Sequence, residues 1–151
     1  MSSWERLGLD WRDFHRDARR ILDDPFYWEC ANDFSPHGND TGADLLHEYR
    51  RWLKRRPSDD PGKFYRALMD RWDFSAAAGD PMICTAMDEA AVALAFAELK
   101  LRGGCRDSAA SLALAAIQRQ REEAIAATDW PYREDRLRSL ELLEAKLRTS
   151  G

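Results

Sequence analysis

The chain has 151 residues, of which 44% are hydrophobic and 33% charged, with a net charge of −4 and six tryptophans. That length is the usual size of one domain, and the apolar content is enough for a core, which excludes a disordered chain and makes a second domain unnecessary. No stretch approaches the roughly 20 apolar residues that span a bilayer, and the N-terminus lacks a basic region followed by an apolar run. Cys30, Cys84 and Cys105 are odd in number and contain no Cys-x-x-Cys pair. These features predict a cytoplasmic protein without a membrane segment, whose cysteines are small buried hydrophobes.

Helix signals run from end to end. Asp10 is placed to cap a first helix carrying Trp11, Phe14, Ala18, Ile21 and Leu22 at helical spacing, stopped at Asp24-Pro25. Phe26-Tyr-Trp-Glu-Cys-Ala31 follows as one or two buried turns, and Ser35-Pro-His-Gly-Asn-Asp40 is turn chemistry. Thr41, with Asp44 three residues on, resembles a capping box, opening a helix with Leu45, Leu46, Tyr49, Trp52 and Leu53 on one side. After the break at Pro57 and Pro61, a further helix carries Phe64, Leu68, Met69 and Trp72.

Asp80-Pro81 opens a helix that runs to Gly103-Gly104 and is apolar on every side across Ala90-Ala-Val-Ala-Leu-Ala-Phe-Ala97. Such a helix belongs at the centre of a bundle, where alanines let neighbouring backbones approach. Asp107 is placed to cap the next helix, and after Asp129-Trp-Pro131 a last stripe is formed by Leu137, Leu140, Leu143 and Leu147. The predicted fold is all-α: a single-domain bundle of about six helices around the alanine-rich one, with residues 1–23 as a peripheral N-terminal helix.

Charge is unevenly distributed: residues 10–48 carry ten acids and four bases, whereas residues 49–73 carry four acids and eight bases. An acidic surface suits a basic partner. Nucleic acid is disfavoured, because the basic run around Arg50-Arg-Trp-Leu-Lys-Arg-Arg56 is short. The motif search finds no phosphate-cradling glycine loop and no Gly-x-Ser-x-Gly. His47-Glu-Tyr-Arg-Arg51 starts like a zinc-protease helix but places Arg51 where a second histidine is required. The chain is therefore expected to have no catalytic residues, no cofactor and no resident metal.

One polar cluster survives, and three readings of it stay open. Asp40, Asp44 and His47, with Glu29 or Asp33, have the ligand types to hold a divalent cation; the same groups also serve as helix caps and a solvated face. The third reading is partner binding through Trp28, Glu29, Asp33, His37, Asn39, Asp40, Asp44, His47 and Glu48. An exposed Trp28 among acids would make a hot spot, whereas Trp11, Trp52 and Trp72 fall on core stripes.

Asp24-Pro-Phe-Tyr-Trp-Glu29, Phe34-Ser-Pro-His-Gly-Asn-Asp-Thr-Gly-Ala-Asp-Leu-Leu46 and Trp52 resemble the bacterial YfeS-like family, and the likeness continues through Asp88-Glu-Ala-Ala-Val-Ala-Leu-Ala-Phe-Ala97 and Ala115-Ala-Ile-Gln-Arg-Gln120. The resemblance brings no catalytic residues. It implies a small bacterial cytosolic protein of the kind found beside contact-delivered toxins as a cognate immunity protein. The expected function is thus neutralisation of a basic protein toxin through residues 29–48. The alternatives are a regulatory or adaptor protein with another partner, and a metal-dependent small hydrolase or metal sensor on Asp40, Asp44 and His47.

Overall fold

The computed structural model describes residues 1–150 and, among them, shows helices and no strand. Two short helices, α1 (Ser3–Arg6) and α2 (Ala18–Ile21), precede five long ones: α3 (Asp40–Arg55), α4 (Pro61–Arg71), α5 (Pro81–Arg102), α6 (Asp107–Ala126) and α7 (Arg133–Thr149). Trp11–Asp13 and Pro25–Trp28 are single 3-10 turns. Among the described residues no helix is long and apolar enough to cross a membrane.

The alanine-rich helix lies at the centre, as its composition predicts. Residues 90–100 of α5 are buried without interruption, and α2, α3, α4 and α6 pack around them, with α7 against α6. The helix starts where Asp80 accepts a hydrogen bond from the Met82 amide at 2.8 Å ahead of Pro81, and stops at Gly103, whose φ of 75° suits a residue without Cβ.

The first helix expected from Trp11 to Leu22 does not form. Asp10 does cap, accepting from the Arg12 amide at 3.0 Å, but Phe14 is extended and the helix resumes only at Ala18. The cause is tertiary. The His15 N–H donates to the Lys100 carbonyl at 2.8 Å, satisfying one of the carbonyls that the last turn of α5 leaves without a helical donor. The N-terminal segment is less peripheral than expected, since Ala18 and Leu22 are buried and Trp4, Trp11 and Phe14 pack against the core.

Two caps fall one or two residues from their predicted places. Asn39, not Thr41, caps α3, its Oδ1 accepting from the Gly42 amide at 2.7 Å. Arg106, not Asp107, is the cap residue of α6. The cysteine expectation also fails: Cys30 and Cys84 are exposed and Cys105 is half-buried, because Cys30 follows a 3-10 turn and Cys84 sits in the first turn of α5, before its buried stretch begins.

Gly42 marks a close approach. A Cβ there would run into the backbone carbonyl of Pro36, which is not a flexible group that can move aside. Gly42→Ala is expected to cost about 1–3 kcal/mol through overpacking, read as a lower urea midpoint. An unchanged midpoint would show that the loop before α3 relaxes freely.

Candidate functional site

The loop before α3, the first half of α5, the second half of α6 and the start of α7 enclose a groove of about 660 Å³. That volume is in the range of ligand pockets. Asp33, Asp40 and Glu123 stand on its walls as exposed carboxylates. Glu89 lies further in, where burial raises its carboxyl above the usual range. Among the described residues Arg136 is the one basic group lining the groove; its guanidinium lies 5.0 Å from the centre of the Phe34 ring, and burial lowers its pKa from the usual guanidinium value.

Two details set this groove apart from a solvated crevice. Gln120 is only 6% exposed, and its Oε1 has no hydrogen-bond partner among the described residues. Arg136 and Glu89 influence each other through space, but no side-chain hydrogen bond among the described residues holds either one. The outer edge is aromatic: Phe34 meets Trp130 edge-on at 5.9 Å, and Trp130 meets Tyr132 at 6.4 Å. Phe34 also lines a second hollow of about 480 Å³, with Tyr132 and Leu142.

The structure separates the residues expected to form one binding surface. Asp33, Asn39 and Asp40 line the groove. Glu29 is half-buried and accepts from the Asn32 side chain at 2.8 Å, while Asp44 and His47 are exposed along α3 outside the groove. Glu48 pairs with Arg71 at 2.7 Å. Trp28 and His37 are corrected from surface to core. Trp28 is 4% exposed, donates its indole N–H to the Leu22 carbonyl at 2.9 Å, and meets the rings of Trp11 and Phe14 edge-on.

His37 is buried between the α3 loop and α5. Its Nε2 lies 2.9 Å from the Ala93 carbonyl, and a carbonyl only accepts, so the proton sits on Nε2. Nδ1 is then the acceptor for Lys100 Nζ at 2.8 Å, and that nitrogen also rests 4.6 Å from the centre of the Trp28 ring. Burial brings the Lys100 amine down to about 7 and holds the His37 imidazole well below its usual value.

A second buried network surrounds Glu98 of α5. Glu98 is fully buried and receives the Tyr49 hydroxyl, Arg106 Nε at 2.9 Å, the Arg106 amide at 3.2 Å and Arg102 at 3.3 Å. Both networks tie loops and neighbouring helices to α5, and neither opens into the groove.

The alternative of a cation held by Asp40, Asp44 and His47 finds no support in their placement. Among the described residues no three His, Cys, Asp or Glu side chains come close enough to hold a metal ion, because Asp40 faces the groove while Asp44 and His47 do not line it. Sequence reasoning missed Glu89, Gln120, Glu123, Trp130 and Arg136, which come from three later helices and the link between two of them. None of them carries a local signal, since Gln120 lies within the polar run Gln118-Arg-Gln-Arg-Glu-Glu123. Segments quoted for the family resemblance meet here: Phe34, Asn39 and Asp40 from the loop motif, Glu89 from the first alanine-rich motif and Gln120 from the second.

The fold and groove define a helical bundle with an acidic, aromatic-edged recess. A stretch of 80 residues, 52% of the chain, is 30% identical to "Uncharacterized protein YfeS" of Escherichia coli (strain K12), and covers 33% of that protein's length. The likeness supports a YfeS-like family and a bacterial homologue. No family model matches the chain. No solved structure matches it.

Proposed function

We infer that the protein acts by binding, and that it is an immunity protein covering the active site or substrate groove of a basic toxin. The observation that supports this reading is the groove itself: four carboxylates against one guanidinium among the described residues, beside an edge of partly exposed aromatics. Aromatic residues are enriched at protein interfaces, and tryptophan and tyrosine lead among binding hot spots. Nuclease–immunity pairs are among the tightest complexes known, at about 10⁻¹³ to 10⁻¹⁶ M, and complementary charge speeds their encounter.

The test is co-expression with the product of a neighbouring toxic reading frame, scored by survival. Reversing charge at Asp33, Asp40 and Glu123 together is expected to abolish protection and slow association about tenfold or more at low salt, with the helical circular dichroism unchanged. Full protection by that folded variant would remove this surface from the mechanism. A neighbour that is harmless alone would favour the adaptor reading, in which the same acidic face serves another partner.

A further inference from the structure

We propose that the groove receives an arginine side chain of the partner protein, its guanidinium held between Glu89 and Gln120 beneath the rim carboxylates. This rests on the binding function inferred above and names the chemistry that the groove recognises. The acidic rim alone would not argue for it. The inner end supplies the second observation, an amide oxygen that is nine-tenths buried and unpartnered among the described residues.

An unanswered buried acceptor costs free energy, and a donor brought into the groove recovers it. Gln120 lines the groove, and no hydrogen bond among the described residues fixes its Oε1. Glu89 adds a carboxylate without a hydrogen bond on the same lining. Two separated acceptors match the flat fork of a guanidinium better than the compact ammonium of lysine. Trp130 adds a ring face of the kind on which guanidinium groups stack. Arg136 does not already fill this role, since its guanidinium lies over Phe34 and is left with donors for a backbone carbonyl of the incoming loop.

The experiment is an NMR titration of the full chain with N-acetyl-arginine amide, against N-acetyl-lysine amide and the neutral isostere N-acetyl-citrulline amide. Arginine is expected to give saturable shifts of the Gln120 side-chain amide and the Trp130 indole N–H, with an affinity at least tenfold above that of citrulline. Gln120→Leu and Glu89→Gln are each expected to weaken binding at least fivefold. Glu123→Gln, at an exposed position, changes affinity in the same direction without touching the core. Equal binding of citrulline, or no shift at Gln120, overturns the proposal.

The two readings separate cleanly. Arginine binding without protection from a toxin leaves the groove's specificity standing and removes the inhibitor role. Protection without arginine binding removes this use of the groove and keeps the inhibitor.

Discussion

Replacing Glu98 with alanine is expected to destabilise the protein by about 3–5 kcal/mol, a fall in melting temperature of roughly 10 °C for a chain of this size. The carboxylate is fully buried and serves groups from three parts of the chain: Tyr49 on α3, Arg102 at the end of α5, and both the backbone and side chain of Arg106 at the cap of α6. Its removal leaves a half-buried guanidinium and a buried hydroxyl without their acceptor, and the unpaired charge is the larger part of the cost. Burial and then the neighbouring carboxylate push the Tyr49 phenol upward, so that this hydroxyl remains the proton donor. Arg106 also reaches the Asp59 carbonyl at 2.9 Å, so the same loss loosens the loop before α4.

Urea unfolding gives the number. A cost below about 1 kcal/mol would mean that the cluster behaves like a surface ion pair. The triple variant Glu98→Leu, Arg106→Met, Tyr49→Phe separates geometry from net worth. Exchanging a buried ionic cluster for apolar groups of similar volume is often neutral or stabilising, so the triple variant is expected to recover most of what the single one loses.

The contrast between α5 and the N-terminal segment shows what the sequence reveals about this fold. A helix with apolar residues on every side has one place to go, and α5 is buried where its pattern requires. Trp11, Phe14, Ala18, Ile21 and Leu22 fit a helical template equally well, yet the segment breaks at Phe14. What decides is a hydrogen bond from His15 to a carbonyl 85 residues away, which no local pattern carries. The buried charge cluster was equally hidden: Glu98 and Arg106 lie at the margins of long helices, where charged residues are ordinarily solvated.

Part of the candidate site was legible for a simpler reason. Asp33, Asn39 and Asp40 sit in a turn-rich loop, and polar turn residues are exposed by default. The same rule misplaces His37, since the loop folds inward and its ring meets the buried Ala93 carbonyl. The remaining groove residues come from α5, α6, α7 and the link between the last two, so their convergence is a tertiary fact.

Lys100 gives the second large expectation: stability should rise with pH from about 7 toward a maximum near pH 9, above the usual optimum between about pH 5 and 8. Proton counting sets the sign. Folding lowers the Lys100 amine from 10.5 to about 7, so between those values the unfolded chain holds a proton that the folded chain has released. Stability then increases with pH across that window, and is lost as pH falls through the folded value. His37 adds to the loss on the acid side, its imidazole being held well below 6.5 by burial and by Lys100. On the alkaline side, burial raises the Cys105 thiol from 9.0 to about 12 and the Tyr27 and Tyr65 hydroxyls from 10.0 to about 12. These groups reverse the slope above pH 9 to 10, because the folded state now keeps protons that the unfolded chain gives up.

A tenfold change in proton affinity is worth about 1.4 kcal/mol, so Lys100 accounts for at most about 5 kcal/mol between the two limits. The Trp28 ring face offsets part of this by favouring the charged amine. Lys100→Met keeps the length of the side chain and removes the titration. It is expected to flatten the profile between pH 7 and 9 and to raise the urea midpoint at pH 6 relative to the parent, even though His37 loses a donor. A parent profile already flat from pH 7 to 9 would show that the amine stays charged in the core, held by Trp28 and His37 together.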